Sequence, residues 1–168
     1  MPRPWPSISP HPRRRYDYKV LFLSHRNVAR GQLAEALLRH ESQGAFGAFS
    51  AGLEPGPAIH PMTYAVLSEI GVPLGDQRPK STIELAGEGF DLVIVLDNDT
   101  WRQCPSWAGT TTILWSYADP AAAPEAHGER LKIFRRLRDN LRRRFNRLAA
   151  APLERIGHVA VGLAGFRG

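Results

Sequence analysis

The chain has 168 residues, and its 22 Lys and Arg exceed its 16 Asp and Glu to give a net charge of +6. This length suits one domain, and a hydrophobic content of 43% suits a packed core rather than a disordered polymer. No stretch approaches the roughly 18 consecutive apolar residues that span a bilayer. This excludes an integral membrane protein, and we expect no membrane among the partners. The one cysteine, Cys104, excludes an intramolecular disulfide and a zinc site built on several cysteines.

The positive charge is concentrated in two segments. Residues 1–20 contain five bases and one acid, residues 128–148 contain nine bases and two acids, and the remainder contains eight bases and thirteen acids. Five prolines within the first twelve residues disfavour helix and strand, so residues 1–16 are predicted to form a disordered Pro- and Arg-rich arm. No apolar segment of a secretory signal follows the arginines, which together with the single cysteine favours a cytoplasmic location.

The rest of the chain alternates between two periodicities. Short apolar runs predict strands buried on both faces, and apolar residues spaced by three and four positions predict amphipathic helices. The predicted strands are 18–23, 46–51, 91–96 and 111–116, and the predicted helices are 30–41, 60–70, 81–87 and 128–150. This alternation predicts an α/β fold with a parallel sheet. Residues 156–168 are weakly patterned and Gly-rich, and we interpret them as a C-terminal tail.

The turn after the first predicted strand is the candidate site. Residues 24–30 read Ser-His-Arg-Asn-Val-Ala-Arg and lead directly into a helix. Ligands of open α/β sheets bind beyond the carboxyl ends of the strands, and a helix start directs backbone N–H groups and partial positive charge to one point. Arg30 can place its guanidinium over the same point, so phosphate is the natural ligand. The alternative interpretation is an ordinary turn between a strand and a helix that happens to contain two arginines.

Several motifs together resemble one known family. The segment VLFLSHRNVARGQLAEALL over 20–38 resembles the phosphate loop and first helix of the low-molecular-weight protein tyrosine phosphatase and arsenate reductase family, in which the loop reads Cys-x-x-Asn-x-x-Arg-Ser. Further motifs follow in family order: Phe49-Ser50-Ala51-Gly52, Ile59-His60-Pro61, Arg78-Pro79-Lys80-Ser81, Phe90-Asp91-Leu92-Val93-Ile94, Asp97-Asn98, Cys104-Pro105, Asp119-Pro120-Ala121 and Ala151-Pro152-Leu153. The resemblance implies a three-layer, flavodoxin-like domain over 17–155, in which helices flank a four-stranded parallel sheet.

The resemblance also implies residue roles. In the family a cysteine thiolate attacks phosphorus or arsenic, the loop amides and an arginine hold the oxyanion, and an aspartate protonates the leaving oxygen. The matching residues are Ser24 at the nucleophile position, Arg30 as oxyanion clamp, Asp119 as general acid and Asn27 as the brace of the loop. The implied phosphate-binding residues are Ser24, His25, Arg26, Asn27, Val28, Ala29 and Arg30. Neither a metal nor an organic cofactor is implied.

The nucleophile position departs from the family pattern. A loop of amides and an arginine can ionise a thiol, whose ordinary pKa is about 8.5, but not a serine hydroxyl, which needs a general base. His25 is the only nearby base for Ser24, and adjacent residues in a tight loop seldom face each other. Gly31 also stands where the family has a serine that stabilises the thiolate.

The same reasoning bears on arsenate reduction, which in one branch of the family uses a relay of three thiols. The resemblance places two of them at positions 24 and 96, where this chain has Ser24 and Leu96, and retains only Cys104. A thiol relay within this chain is therefore rejected, and we interpret Cys104 as a buried structural cysteine.

Three hypotheses of function remain open. The first is an inactive or strongly impaired family member that binds phosphate, phosphotyrosine or arsenate, with Arg26, Arg78 and Lys80 as possible further cations near the site. The second is an active phosphatase captured as a Cys-to-Ser trapping variant, which the retained Asp119 favours. In that case, restoring cysteine at position 24 would restore phosphomonoester hydrolysis. The third is a non-enzymatic interaction protein that uses its basic arm and basic helix, with nucleic acid the least favoured partner. The oligomeric state is left open.

Overall fold

The computed structural model describes residues 16, 18–105, 107, 110–124 and 126–164. Within these ranges four strands alternate with five α-helices. The strands are β1 (Tyr18–Ser24), β2 (Phe46–Gly52), β3 (Leu92–Val95) and β4 (Thr111–Leu114). The α-helices are α1 (Arg30–Glu41), α2 (Pro61–Ser68), α3 (Asn98–Gln103), α4 (His127–Ala149) and α5 (Ile156–Ala164). Short 3₁₀ helices lie at Thr82–Leu85, Pro120–Ala122 and Leu153–Arg155.

The strands form one parallel sheet in the order β2-β1-β3-β4. Side chains of β1 alternate between two cores, as the pleat requires. Val20 and Phe22 join the larger core with α1, α2, α4 and α5, whereas Leu21 and Leu23 join a smaller core on the opposite face with Phe90. The predicted α/β fold with a four-stranded parallel sheet is therefore confirmed. In the described part of the chain, no helix combines the length and apolar character that crossing a bilayer requires.

The C-terminal helix α5 differs from the tail expected over 156–168. Its residues Ile156, Ala160 and Leu163 are buried in the larger core, and Trp115 Nε1 donates a 3.0 Å hydrogen bond to the carbonyl oxygen of Ala160. The packed domain therefore continues past residue 155, at least to Ala164. Glycines at 157 and 162 lower the intrinsic helix propensity, so packing rather than local sequence stabilises this helix.

An aromatic contact joins the end of the predicted arm to the domain. Residues 1–15 of the predicted arm lie outside the described residues, as does residue 17. Tyr16 packs edge-on against Phe49 of β2, with ring centroids 6.3 Å apart, and lies so close over Gly47 that a Cβ there would come within 2.6 Å of its ring. The packed domain therefore includes Tyr16, the last residue of the predicted arm.

Arginines of α4 hold this helix against its neighbours. Arg135 Nη2 and Arg138 Nη1 each lie 2.6 Å from the carboxylate of Glu69, directly after α2. Arg142 pairs with Glu41 at the end of α1, and the guanidinium of Arg144 lies 4.9 Å from the centre of a Trp115 ring. These four bases are engaged within the domain, whereas Arg136 and Arg143 on the same helix are exposed, so only part of the basic helix remains as a surface for an anionic partner.

The cluster around Glu69 gives a prediction on acid stability. Hydrogen bonding from Arg135, supported by Arg138, lowers the pKa of Glu69 to about 2. A carboxylate whose folded pKa is depressed stabilises the fold above its unfolded pKa and loses that contribution as the pH falls through the folded pKa. We therefore expect the free energy of unfolding to fall more steeply between about pH 5 and pH 2 in the parent chain than in Glu69→Gln.

Urea denaturation at a series of pH values measures this difference. Glu54→Gln is the matched control, because the Glu54 side chain is 80% exposed and is expected to leave the slope unchanged. Equal slopes for the parent chain and Glu69→Gln would show that the arginine pairing contributes nothing to stability.

Candidate functional site

The loop over 24–30 joins the carboxyl end of β1 to the first turn of α1. β1 and β3 are neighbours in the sheet, and the chain runs from β1 to β2 on one side but from β3 to β4 on the other side. Such a reversal opens a crevice at the carboxyl edge of a parallel sheet, where ligands bind. The loop therefore lies where this fold leaves room for a ligand.

The carbonyl groups of the loop point away from its interior. The Asn27 carbonyl oxygen accepts a 3.0 Å hydrogen bond from Gln32 Nε2. Three other loop carbonyls accept 2.9 Å hydrogen bonds from backbone N–H groups of the segment after β2; the pairs are His25 with Glu54, Arg26 with Gly56, and Val28 with His60. In a planar trans peptide the C=O and the following N–H point in opposite directions. The N–H groups of residues 26–29 are therefore directed into the loop.

These inward N–H groups are left for a ligand. Among the described residues, the backbone N–H groups of 25–29 donate no hydrogen bond. The first turn of α1 adds the partial positive charge of a helix N-terminus and contains no acidic residue to neutralise it. Since donors without an acceptor are costly when removed from water, this arrangement favours an anion at the centre of the loop.

Asn27 braces the loop through its backbone and its side chain. Its φ of 54° lies in the left-handed region, which asparagine tolerates better than most residues. Its Oδ1 accepts hydrogen bonds from Gln32 Nε2 at 2.9 Å and from the Lys80 backbone N–H at 3.1 Å. Gln77 Nε2 in turn donates to Gln32 Oε1 at 2.9 Å. This network ties the loop to α1 and to the segment before the first 3₁₀ helix.

Ser24 lies at the floor of the loop with an unused hydroxyl. The residue is only 2% exposed, and neither Ser24 Oγ nor the nearby Asn27 Nδ2 has a hydrogen-bond partner among the described residues. A Cβ added at Gly31 would lie 2.6 Å from Asn27 Nδ2 and 3.2 Å from Ser24 Oγ. The Asn27 amide thus fills the space that a side chain at position 31 would need. The two buried polar atoms there, Ser24 Oγ and Asn27 Nδ2, are available to hydrogen-bond a ligand.

Arg30 closes one side of the loop and is held by three acceptors. Its side chain is 8% exposed. Its Nη1 donates a 2.9 Å hydrogen bond to the Tyr117 carbonyl oxygen, and its Nη2 lies 3.3 Å from Asp97 Oδ2 and 3.9 Å from Asp119 Oδ2. The guanidinium is therefore fixed in position before any ligand binds, which lowers the entropy cost of binding.

The two carboxylates beside Arg30 differ in their remaining capacity. Asp97 begins α3: its Oδ1 accepts from the Thr100 backbone N–H at 2.7 Å and its Oδ2 from Thr100 Oγ1 at 3.0 Å. Asp119 begins the second 3₁₀ helix, where its Oδ1 accepts from the Ala121 N–H at 3.0 Å. Its Oδ2 faces Arg30, so Asp119 is a capping residue and a residue of the site at once.

A cavity of about 600 Å³ opens in front of Arg30. Its lining is polar and includes His25, Arg30, Asp97, Asn98, Asp99, Gln103, Ser116, Tyr117, Ala118 and Asp119. The Tyr117 hydroxyl is directed to Asn140 Oδ1 at 2.9 Å, and burial raises the pKa of this phenol to about 12. Tyr117 therefore contributes its backbone carbonyl to the site and no acidic proton.

The sequence-predicted residues fall into two groups. Ser24, Asn27, Arg30 and Asp119 come together around the loop, as described above. His25 also lines the cavity, but its Nε2 lies 3.7 Å from Glu54 Oε2, and no hydrogen bond joins it to Ser24 within the described residues. Val28 and Ala29 pack against the core and offer backbone groups only.

The three further cations considered from the sequence do not enter the cavity lining. The Arg26 side chain is exposed. Arg78 pairs with Glu84 at 2.6 Å on the surface. Lys80 Nζ lies 3.4 Å from Glu35 Oε2, and the buried Glu35 also accepts hydrogen bonds from the Ser50 hydroxyl and from Arg39. These contacts stabilise the structure behind the loop rather than adding positive charge to the site.

The end of β3 shows what the sequence did not reveal. Leu96 is fully buried in the larger core, so it is the next residue, Asp97, that reaches Arg30. The sequence signal that could have indicated Asp97 is its position directly after a buried strand, since the carboxyl ends of adjacent parallel strands meet at one edge of the sheet. Cys104 is half-buried, its Sγ lies 3.4 Å from the Pro105 carbonyl oxygen, and burial raises the pKa of its thiol.

The crowding at Gly31 gives a prediction on stability. Alanine normally favours a helix over glycine, but at position 31 its Cβ would collide with the Asn27 amide. We expect Gly31→Ala to lower the free energy of unfolding by about 1–3 kcal/mol, as other overpacking substitutions do. Chemical denaturation measures this, with Gly87→Ala as control because a Cβ there meets nothing within 4 Å. Unchanged stability in Gly31→Ala would mean that the Asn27 amide moves without cost.

The comparisons with known proteins agree with this geometry. The sequence matches the family described as low molecular weight phosphotyrosine protein phosphatase over residues 19–157. An arsenate reductase of Shouchella clausii is 30% identical over 132 residues, covering 77% of this chain and 94% of that protein. A glutaredoxin arsenate reductase of Synechocystis sp. is 29% identical, covering 79% and 96% of the two chains.

Solved structures show the same fold. An arsenate reductase in the phosphate binding state has a TM-score of 0.66 and 28% identity, covering 79% of this chain and 97% of that chain. A Cys-to-Ser mutant of the YwlE arginine phosphatase with a phosphorylated active-site serine has a TM-score of 0.61 and 21% identity, covering 78% and 93%. Because the family match spans most of the chain and every element that builds the loop, this chain belongs to the low molecular weight phosphotyrosine protein phosphatase family.

Proposed function

We propose that this chain binds a tetrahedral oxyanion, such as phosphate or arsenate, in the loop 24–30, and that it does not hydrolyse phosphomonoesters by the thiolate mechanism of its family. The observation that carries the proposal is the orientation of the loop peptides. Four carbonyls are bonded outward, so that the N–H groups of 26–29 are directed inward around the buried Ser24 hydroxyl and beside Arg30. Such a set of donors binds an anion and needs no thiol to do so.

The absence of turnover follows from the chemistry of Ser24. A serine hydroxyl becomes a nucleophile when a general base removes its proton. His25 lies toward Glu54, and Asp119 Oδ2 lies toward Arg30, so neither is engaged with the serine. The chain has one cysteine, and its raised pKa favours the neutral thiol. This chain therefore lacks the thiolate that hydrolysis would need at position 24 and the several thiols that a relay for arsenate reduction would need.

Comparison with relatives supports an oxyanion as ligand. The curated relatives are arsenate reductases, and the solved arsenate reductase at 28% identity is described as being in the phosphate binding state. Phosphotyrosine has less support, because the cavity lining is polar and the Asp-Pro segment continues with Ala121 and Ala122 rather than with aromatic residues. Inorganic oxyanions are thus the ligands that we test first.

One observation favours a second candidate function, a phosphatase whose only lesion is at position 24. Asp119 Oδ2 is 3.9 Å from the Arg30 guanidinium, which is where an acid for the leaving oxygen would be needed. A phosphorylated serine is described for the Cys-to-Ser arginine phosphatase of the same fold. A single phosphoryl transfer to Ser24 is therefore an outcome that the experiments below must separate from binding alone.

The proposed function predicts phosphate binding by the parent chain. We expect titration calorimetry to detect phosphate binding by the full chain at millimolar concentration or below. Arg30→Ala is expected to weaken it by roughly tenfold or more, because hydrogen bonds to charged groups are among the strong ones. Arg78→Ala, which removes a surface arginine paired with Glu84, is the control and is expected to bind as the parent does. Absence of binding at millimolar phosphate would refute the proposed function.

The second prediction concerns turnover of p-nitrophenyl phosphate. We expect no hydrolysis by the parent chain, and intact-mass measurement is expected to show no phosphoryl group on the protein. Hydrolysis by Ser24→Cys would show that the surrounding site is competent, and it should fall by roughly 10²–10⁴-fold when Asp119→Asn is added. Turnover by the parent chain, or a phosphoryl group on Ser24, would contradict the proposal of binding without chemistry.

A further inference from the structure

The interior of the loop offers hydrogen-bond donors, and donors alone do not distinguish one tetrahedral oxyanion from another. The N–H groups of residues 26–29 and the Arg30 guanidinium can only donate. The Ser24 hydroxyl can also donate, since nothing among the described residues occupies it. Sulfate, phosphate and arsenate all present oxygen acceptors of similar arrangement. Any discrimination among them has to come from an acceptor in the site, because only some of these anions carry a proton.

Asp97 is not free to be that acceptor. Its Oδ1 accepts from the Thr100 N–H, while its Oδ2 accepts from the Thr100 hydroxyl and lies 3.3 Å from Arg30 Nη2. Its side chain is 12% exposed. Both oxygens are therefore committed to the start of α3 and to the position of Arg30, and Asp97 acts as a positioning residue for the guanidinium.

Asp119 has the capacity that Asp97 lacks. Its Oδ1 caps the second 3₁₀ helix through the Ala121 N–H, but its Oδ2 accepts no hydrogen bond from the described residues. This oxygen lies 3.9 Å from Arg30 Nη2, and the side chain is 31% exposed to the cavity side of the loop. An anion that binds Arg30 therefore places one of its oxygens next to a carboxylate oxygen that can only accept.

Among the described residues that line the cavity, Arg30 is the one arginine or lysine beside this carboxylate. His25 also lines the cavity, but it lies toward Glu54. His60 is close enough to Asp119 to influence it, but burial and the nearby Arg130 lower the pKa of His60. At neutral pH this imidazole is uncharged, so it places no positive charge beside the Asp119 carboxylate.

We propose that Asp119 makes this loop selective for oxyanions that carry a proton, phosphate and arsenate, over sulfate. At neutral pH inorganic phosphate and arsenate keep at least one proton, which can be donated to Asp119 Oδ2, whereas sulfate has none and brings two negative charges against the carboxylate. The inference rests on the proposed binding of an oxyanion in the loop 24–30. It assigns Asp119 a specificity role that does not require any chemical step at Ser24.

The test compares three anions on the full chain at neutral pH and constant ionic strength, by titration calorimetry with sodium phosphate, arsenate and sulfate. We expect phosphate and arsenate to bind with similar affinity and at least about tenfold more tightly than sulfate, the cost of a charged acceptor left without its donor. In Asp119→Asn the preference should shrink to about threefold or less, chiefly through tighter sulfate binding, because the new amide can donate.

Asp99→Asn is the matched control. Asp99 also lines the cavity, but its carboxylate lies 2.7 Å from Arg102 Nη1 on the surface. Removing its charge should change the affinities for all three anions by similar factors and leave the preference for phosphate intact. Asn at 119 keeps the oxygen that accepts from Ala121, and Asp119→Ser, which also retains a capping oxygen without charge, is a second variant with the same expected loss of preference.

The possible outcomes separate this inference from the proposed function. Equal affinity of the parent chain for sulfate and phosphate would overturn the selectivity while leaving oxyanion binding intact. An unchanged preference in both position-119 variants, or an equal loss in Asp99→Asn, would overturn the role of Asp119. Failure of all three anions to bind the parent chain would instead refute the proposed function on which the inference rests.

Discussion

The planarity of four consecutive peptide groups is the constraint on which the proposed site depends. Once the carbonyls of the loop are bonded outward, geometry leaves the following N–H groups no direction but inward. The segment between β2 and α2 supplies three of the outward bonds and Gln32 supplies the fourth. The second crossover of the fold is therefore part of the proposed anion site, although none of its side chains needs to touch the ligand.

The side chains around the loop extend this preorganisation from the backbone to the charges. Arg30 is fixed by a carbonyl and two carboxylates, and Asn27 is fixed by Gln32 and Lys80. These anchors lie in α1, before the first 3₁₀ helix, after β3 and after β4, so the geometry is maintained by tertiary packing and not by the loop itself. The loop can in this way keep its shape although the residue at its floor is a serine.

The parts of this structure that sequence predicts are those governed by local periodicity. The strand over 18–23 and the helix over 30–41 were recognisable because their apolar patterns are strong, and they place Ser24 and Arg30 correctly. Helix α5 was missed because Gly157 and Gly162 dilute its pattern, and its stability comes from contacts such as that of Trp115 with Ala160. The pairing of Arg30 with Asp97 joins the first residue of α1 to the residue before α3, far apart in sequence, so only the position of Asp97 after a buried strand could have indicated it.

The close approach at Gly31 has a consequence for how this sequence can change over time. The Asn27 amide lies where a side chain at position 31 would begin, and it is tied there by bonds to two other segments. A change of Ser24 to cysteine would leave this contact untouched, but a serine at position 31 would require Asn27 to adopt another conformation. Positions 24, 27 and 31 therefore share one space, and substitutions at them are expected to have non-additive effects.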